Sequence, residues 1–377
     1  FILTMLICLE GACGWLRGKT TPANILKTLL IPCAFYVLSS EISSPGTDLP
    51  VVLIVWWLAA GWLERGEDST GNRPLLEVVI FLLSIYAFTI KLSAGPLVFF
   101  AILLMGIWRT QNRKLALMAA MAAIILLPWM ARSVILSGYP LFPIAGVPGF
   151  NLDWRIAQSD VVNEQMGIIA YGRNPRMSMD EVLQMPFSAW LKMWYYNQTI
   201  NRKILLIFAG VAPLLFGFSW IATARWAGNR LSSKRQLLEV LVILLTGMSF
   251  WLFTSPDFRF GYGYLIALLL ISLLIPIASI RIVNKNSVIV LLVIVLYLVF
   301  FIARSFEHSE FGQRLILPSD YKSLPTQPCD LKNAKVLCPA DISWSQCWYN
   351  PFPCAPFPRP EVEMRGSDWR DGFRKSN

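Results

Sequence analysis

Apolar residues run along this chain in long unbroken stretches, without the short polar interruptions of a soluble fold. The clearest stretches lie at 115–130, 204–222, 237–253, 262–280 and 288–303. Each is long enough to cross, or nearly cross, about 30 Å of hydrocarbon. Shorter apolar runs between them give nine predicted spans, at about 1–15, 25–40, 50–63, 74–90, 95–108, 115–135, 203–224, 237–253 and 262–280. A tenth, at about 287–304, leads into a polar tail. Because such runs repeat along the whole chain, none is a removable secretory signal. The expected fold is all-α, a polytopic transmembrane helix bundle of about nine or ten spans. The spans at 50–63 and 95–108 are short, so a tilted or partly re-entrant helix is expected there. The chain opens on Phe1, inside an apolar stretch and without an initiator Met, which reads as a fragment lacking its native N-terminus.

Charge orients these spans. The connections at 16–24, 64–73, 109–114, 225–236 and 281–286 hold thirteen Lys and Arg, among them Arg65, Arg73 and Lys114. The alternate short connections at 41–50, 91–95 and 254–261 hold two, Lys91 and Arg259. Basic residues accumulate on the cytoplasmic side. The first set is therefore expected inside, in a bacterial inner membrane. The long loop at 136–202 and the tail from 305 to 377 then lie in the periplasm, outside the transmembrane domain of residues 1–304. Composition agrees, with 55% of the 377 residues hydrophobic and 15% charged, against about 25% charged in soluble domains. The net charge of +10 does not mark a nucleic-acid partner, because no basic stripe with interleaved aromatics occurs in a soluble segment. Membrane lipids are the expected surroundings, and nothing names a protein partner.

Four of the seven cysteines, Cys329, Cys338, Cys347 and Cys354, fall in the tail. An even number in a short, proline-rich exterior segment suggests two disulfides, in any of three pairings. Zinc would call for histidine or closely paired cysteines, whereas His308 is the single histidine in the chain. Free thiols and a metal site are the alternatives. The tail is too small for a large core and is expected to be a loop-rich cap stapled by its bridges. In the long loop, Ser178 to Glu181 has the spacing of a capping box. The aromatic-rich stretch from Val182 to Trp194 then reads as an interfacial helix, bent or broken at Pro186.

The exterior turns carry the candidate chemistry. Residues 43–48 form a proline–glycine turn that delivers Asp48 to the head of a span. Thr254 to Phe260 form a second turn, with aromatics around Asp257 and Arg259. Lys91 ends a span and Arg132 lies near an exit. Charges at membrane depth are costly and are paired or functional. Snorkelling is the plain reading of Lys91 and Arg132, and a local ion pair is the plain reading of Asp257 with Arg259. The functional reading has cations from separate loops converging on a lipid-anchored phosphate, with a carboxylate as general base toward an acceptor hydroxyl.

At these turns the chain resembles the GT-C-type glycosyltransferases, through Ser44-Pro45-Gly46-Thr47-Asp48 and Pro256-Asp257-Phe258-Arg259-Phe260. It is closer still to an uncharacterised family of bacterial multi-pass proteins that is itself GT-C-like. The features shared with that family are Thr89 to Ser93, Arg132 to Pro143, Asp153-Trp154, and a tail with Gln346-Cys347-Trp348, Pro353-Cys354 and Arg365 to Phe373. The resemblance implies transfer of a sugar from a polyprenyl-phosphate donor at the periplasmic face, in envelope glycan assembly. In that reading Asp48 and Asp257 are catalytic, and Arg259, Lys91, Arg132 and Asp153 bind substrate or phosphate. It implies a divalent metal for some members, although no residue here is singled out as a ligand. The principal catalytic carboxylate of GT-C enzymes lies in a first exterior loop that would precede Phe1. A glycan polymerase or ligase is a variant of the same reading. The alternative class is a non-enzyme, either a glycan-lipid transporter or a structural partner of one. A transporter is expected to show mid-membrane charges and paired repeat halves, whereas here the unusual charges collect at one face and no internal repeat is visible.

Overall fold

A computed structural model describes residues 2–19, 21–41, 46–67, 73–226, 234–279, 293–297, 299, 324–341, 347 and 350–375. The chain divides into two compact units, residues 1–129 with 166–301 and residues 130–165 with 302–377. Of the predicted tenth span only residues 293–297 and 299, which are helical, are described; residues 43–45 of the first turn, His308, Gln346 and Trp348 lie outside the described residues.

The first unit is helical. Its helices are α1 (Ile2–Leu16), α2 (Pro22–Glu41), α3 (Asp48–Glu67), α4 (Arg73–Ile90), α5 (Val98–Ile107) and most of α6 (Asn112–Ser137). After α7 (Gln158–Arg173) come α8 (Met179–Gln184), α9 (Phe187–Tyr196), α10 (Ile200–Trp226), α11 (Lys234–Thr254) and α12 (Phe258–Ser279). Five of these helices are long and apolar enough to cross a membrane, within Asp48–Gly66, Arg73–Ile90, Asn112–Ser137, Ile200–Ile221 and Arg235–Thr254. In α6 only 6% of the most apolar window is buried. Leu117, Ile124 and Leu127 therefore point outward from an apolar helix.

α12 is the organising helix, packed against α2, α3, α10 and α11. Gly263 lets it approach α3, because a Cβ there would lie 3.2 Å from the Cα of Val52. The Trp56 indole donates to the carbonyl of Gly263 at 3.1 Å, so the close approach is also hydrogen-bonded. Where a short span was expected at 95–108, the chain instead makes a 3₁₀ turn, Leu92–Leu97, and the ten-residue α5. Gly95 and Pro96 within Leu92–Leu97 disfavour a continuous α-helix. In the long loop, Ser178 and Glu181 form the capping box, and Pro186 separates α8 from α9. α7 has no counterpart in the sequence reading. Its Gly167 and Gly172 weaken the helical pattern, yet Gly172 packs so closely on Ser255 that a Cβ would meet its Oγ at 2.4 Å.

The second unit is where the all-α expectation gives way. Antiparallel strands β1 (Thr326–Asp330) and β2 (Lys335–Pro339) form one hairpin, and β3 (Val362–Met364) pairs with β4 (Phe373–Lys375). Disulfides join Cys329 to Cys338 and Cys347 to Cys354. Residues 138–160 fold around Tyr139, whose hydroxyl donates toward the Ile156 carbonyl at 3.1 Å. Gly138 precedes it at φ 84°, a left-handed conformation that glycine adopts without strain. Asp153 receives Arg365 at 2.6 Å and the backbone N–H of Lys375 at 3.2 Å, and the Arg365 guanidinium lies over the Trp154 ring. The Asp-Trp pair thus meets the tail's Arg365 in one contact.

Candidate functional site

Two helix starts, of α3 and α12, and two helix ends, of α4 and α11, meet around the turn at 255–260. The turn is held rigidly. The Trp194 indole donates to the Pro256 carbonyl at 2.8 Å and the Trp251 indole to the Asp257 carbonyl at 2.7 Å. The Ser255 hydroxyl donates to the Ile168 carbonyl at 3.1 Å. Phe258 stacks on Trp194, with ring centroids 5.8 Å apart. Asp257 then caps α12, its carboxylate accepting the Arg259 backbone N–H at 3.0 Å. The same carboxylate receives the Arg259 guanidinium at 2.9 and 3.1 Å.

Lys91 arrives from α4. The helix stops at Ile90, and Lys91 adopts extended backbone (φ −156°, ψ 131°) before the 3₁₀ turn. Its ammonium donates to Asp48, the first residue of α3, and lies 3.4 Å from the centroid of the Phe260 ring. The Arg259 guanidinium lies 5.6 Å from the centroid of the same ring, so one aromatic ring serves two cations. Burial pushes the Lys91 pKa down from its ordinary value, opposed by the hydrogen bond and charge of Asp48. Asp48, Lys91, Arg259 and Phe260 line a narrow cleft floored by Val52, Val55 and Gly263.

Of the six residues proposed for catalysis or phosphate, the fold brings Asp48, Lys91, Asp257 and Arg259 together. Arg132 and Asp153 belong to the second unit. Arg132 is exposed there, and Asp153 holds Arg365. Two cations pair with two carboxylates around this turn, so the group is charge-balanced and neither Lys91 nor Arg259 is free to hold an anion unaided. The donor set does not suit a divalent metal. Both carboxylates are already engaged by cations, and among the described residues no three His, Cys, Asp or Glu converge.

Sequence reasoning passed over Arg202. Its Nε donates to the Tyr262 hydroxyl at 3.3 Å and its guanidinium lies 5.0 Å from the centroid of Phe258. No described carboxylate pairs with it. The available signal was its position, a basic residue at the head of an apolar run. At the other ends of the helices a second unforeseen cluster forms. The Glu77 carboxylate accepts from Arg65 at 2.8 Å, Trp108 at 2.8 Å, Lys114 at 3.1 Å and Arg73 at 3.4 Å.

No curated protein and no solved structure matches this chain. A family model matches residues 1–266, a span that holds every member of the balanced cluster and Arg202. The chain belongs to the family described as Domain of unknown function (DUF8201).

Proposed function

We propose that this protein is a membrane-embedded glycosyltransferase of GT-C type, which transfers a sugar from a polyprenyl-phosphate donor at the periplasmic face of a bacterial inner membrane. The observation that carries this reading is the meeting of Asp48–Lys91 with Asp257–Arg259 at the ends of apolar helices. Support for the membrane comes from the five long apolar helices and the outward apolar surface of α6. Support for the periplasmic face comes from the scarcity of basic residues in the connections that carry the cluster. The second unit, with its disulfides, would then lie on the oxidising side.

Charge balance suggests how the cluster works. A carboxylate of Asp48 or Asp257 takes the proton of an acceptor hydroxyl. The hydroxyl oxygen forms its bond to the sugar carbon as the bond from that carbon to the phosphate oxygen breaks. The electron pair leaves on phosphate. Protonating the carboxylate loosens its hold on Lys91 or Arg259, and that cation turns to the charge developing on the leaving group. Proton transfer and leaving-group stabilisation are coupled through one ion pair.

The balance also favours a second reading, a static staple in a non-enzymatic transporter or structural partner. Membrane vesicles carrying wild-type, Asp48→Asn or Asp257→Asn protein separate the two, with release of polyprenyl phosphate from a radiolabelled lipid-linked sugar as the readout. Transfer by wild type that the variants lose while staying folded supports the enzyme. Absence of transfer from any lipid-linked sugar, or undiminished transfer by both variants, removes it. A phosphatase reporter fused after Asn377 tests orientation and is expected to be active.

A further inference from the structure

Between α2 and α10, over α12, lies an apolar groove of about 340 Å³. Ile266 and Leu270 form its floor, Cys33 and Tyr36 one wall, and Asn201 and Phe208 the other. The groove is graded along its length. Asn201 and Tyr36 sit at the end where α10 begins, and apart from Cys33 and Tyr297 the rest of the lining is apolar. Asn201 to Phe208 spans seven residues, roughly 10 Å at the helical rise. That is about a third of the hydrocarbon thickness of a bilayer. At the polar end the Tyr262 ring meets Tyr36 edge-on at 6.3 Å, and Arg202 donates to the Tyr262 hydroxyl. The cation without a carboxylate partner among the described residues therefore stands one aromatic ring from the mouth of the groove.

We propose that this groove seats the hydrocarbon chain of a phosphorylated single-chain lipid, with Arg202 holding the phosphate. The inference rests on the membrane reading above and deepens it, because it separates the place where a lipid phosphate binds from the balanced cluster where bonds change. An apolar chain with a charged head matches the grading of the groove. Charge selects the head. A half-buried arginine presents a fork of donors suited to phosphate, whereas Lys91 and Arg259 already hold carboxylates. Among the described residues, the other polar side chains beside this end of the groove, Asn201, Tyr36, Tyr262 and Tyr297, bring no negative charge to oppose it.

Cys33 lies in the groove wall and forms no disulfide, which gives a direct readout. In a Cys8→Ala, Cys13→Ala background it is the single thiol outside the two disulfides. The full chain in maltoside micelles is treated with N-ethylmaleimide alone, with dodecyl phosphate, or with dodecanol, and Cys33 alkylation is followed by mass spectrometry. Dodecyl phosphate is expected to slow alkylation about tenfold at a concentration where dodecanol slows it less than about twofold, one decade being the effect of one good ionic contact. Arg202→Gln should make the two probes equivalent, and Arg202→Lys should keep part of the difference. Equal protection by both probes in wild type overturns the phosphate assignment. Absence of protection by either, or a Cys33 that stays unlabelled without any probe because the chain itself fills the groove, overturns the site. If Arg202→Gln does not fold, the wild-type comparison and Arg202→Lys still decide. The assay contains no sugar and no acceptor. Protection in a protein without transfer activity keeps the groove and removes the transferase reading, and transfer with an unprotected Cys33 does the reverse.

Discussion

The helical unit carries a charge cluster at each end, and the two are built differently. At one end Glu77 is a single carboxylate gripped by Arg65, Arg73, Lys114 and the Trp108 indole, with Glu77 and Arg65 side chains 7% and 4% exposed. At the other end two ion pairs of one carboxylate and one cation each share Phe260, and their side chains are between 11% and 39% exposed. The first arrangement ties α3, α4 and α6 to the residue that follows α5, and the pair at its centre, Arg65 and Glu77, is buried. The second leaves each charge a single principal partner, and Asp48, Lys91 and Arg259 line a cleft. A hub of many donors on one acceptor resists rearrangement, whereas paired charges can exchange partners when one of them takes a proton. This difference is why the chemistry is assigned to the Asp257 end.

Stability experiments probe the contrast most strongly. Glu77→Gln strands Arg65 in a buried site, and loss of one partner of a buried pair costs about 3–5 kcal/mol. Asp48→Asn should cost far less, because Lys91 is partly exposed and its pKa is already lowered by burial. Denaturation midpoints in detergent, compared across the two variants, check this. Equal losses would mean that both ends are staples. Transfer should show the opposite order. Asp257→Asn is expected to lose about a hundredfold in rate, the low end of general acid–base contributions, with little change in midpoint.

The second unit offers a control outside either cluster. Its disulfides close loops of nine and seven residues in sequence separation, and each is expected to stabilise that unit by roughly 2.5 kcal/mol through the chain-entropy relation. Cys347→Ala with Cys354→Ala should therefore lower the unfolding midpoint of the second unit, read by limited proteolysis. The Cys33 labelling rate of the first unit should be unchanged.

A pH profile separates the ends again. A lysine whose folded pKa lies below its unfolded value binds fewer protons when folded, so stability rises with pH in the window beneath the ordinary lysine value of about 10.4. Function moves the other way, because the neutral amine cannot turn toward a phosphate. Transfer is expected to fall on an alkaline limb below that value while the fold holds. Lys91→Arg should push the limb upward, and a limb that does not move assigns it to another group.

The sequence made the apolar helices legible because their signal is a long run, which no single residue can hide. It made Asp48, Lys91, Asp257 and Arg259 legible because each is a charge at the end of such a run. Glu77 was hidden by the same logic, since a carboxylate inside α4 between basic connections looks like part of an inside-facing charge pattern. Its grip on Trp108 and Lys114 depends on how α5 and α6 pack. The hairpins of the second unit were hidden because β3 and β4 are three residues each, too short for alternation to show. α7 was hidden by glycines that weaken a helical pattern, and the packing of Gly172 on Ser255 shows that closeness, not flexibility, is their use.

The smallest expected effect is the most discriminating. Arg259 makes two side-chain bonds to one Asp257 oxygen, through Nε and Nη2. In Arg259→Lys one ammonium replaces a planar fork, so the charge and the ion pair remain while the second bond is lost. If Arg259 only closes the turn, the backbone cap from its own N–H to Asp257 survives, the midpoint shifts slightly and transfer is unaffected. If the guanidinium turns to the leaving phosphate, the fork is needed in the transition state. The maximal rate should then fall about tenfold, one such contact being worth about a decade, with donor affinity nearly unchanged because Arg202 supplies the resting contact. A fall in donor affinity at unchanged rate would instead place the resting phosphate on Arg259 and take that role from Arg202.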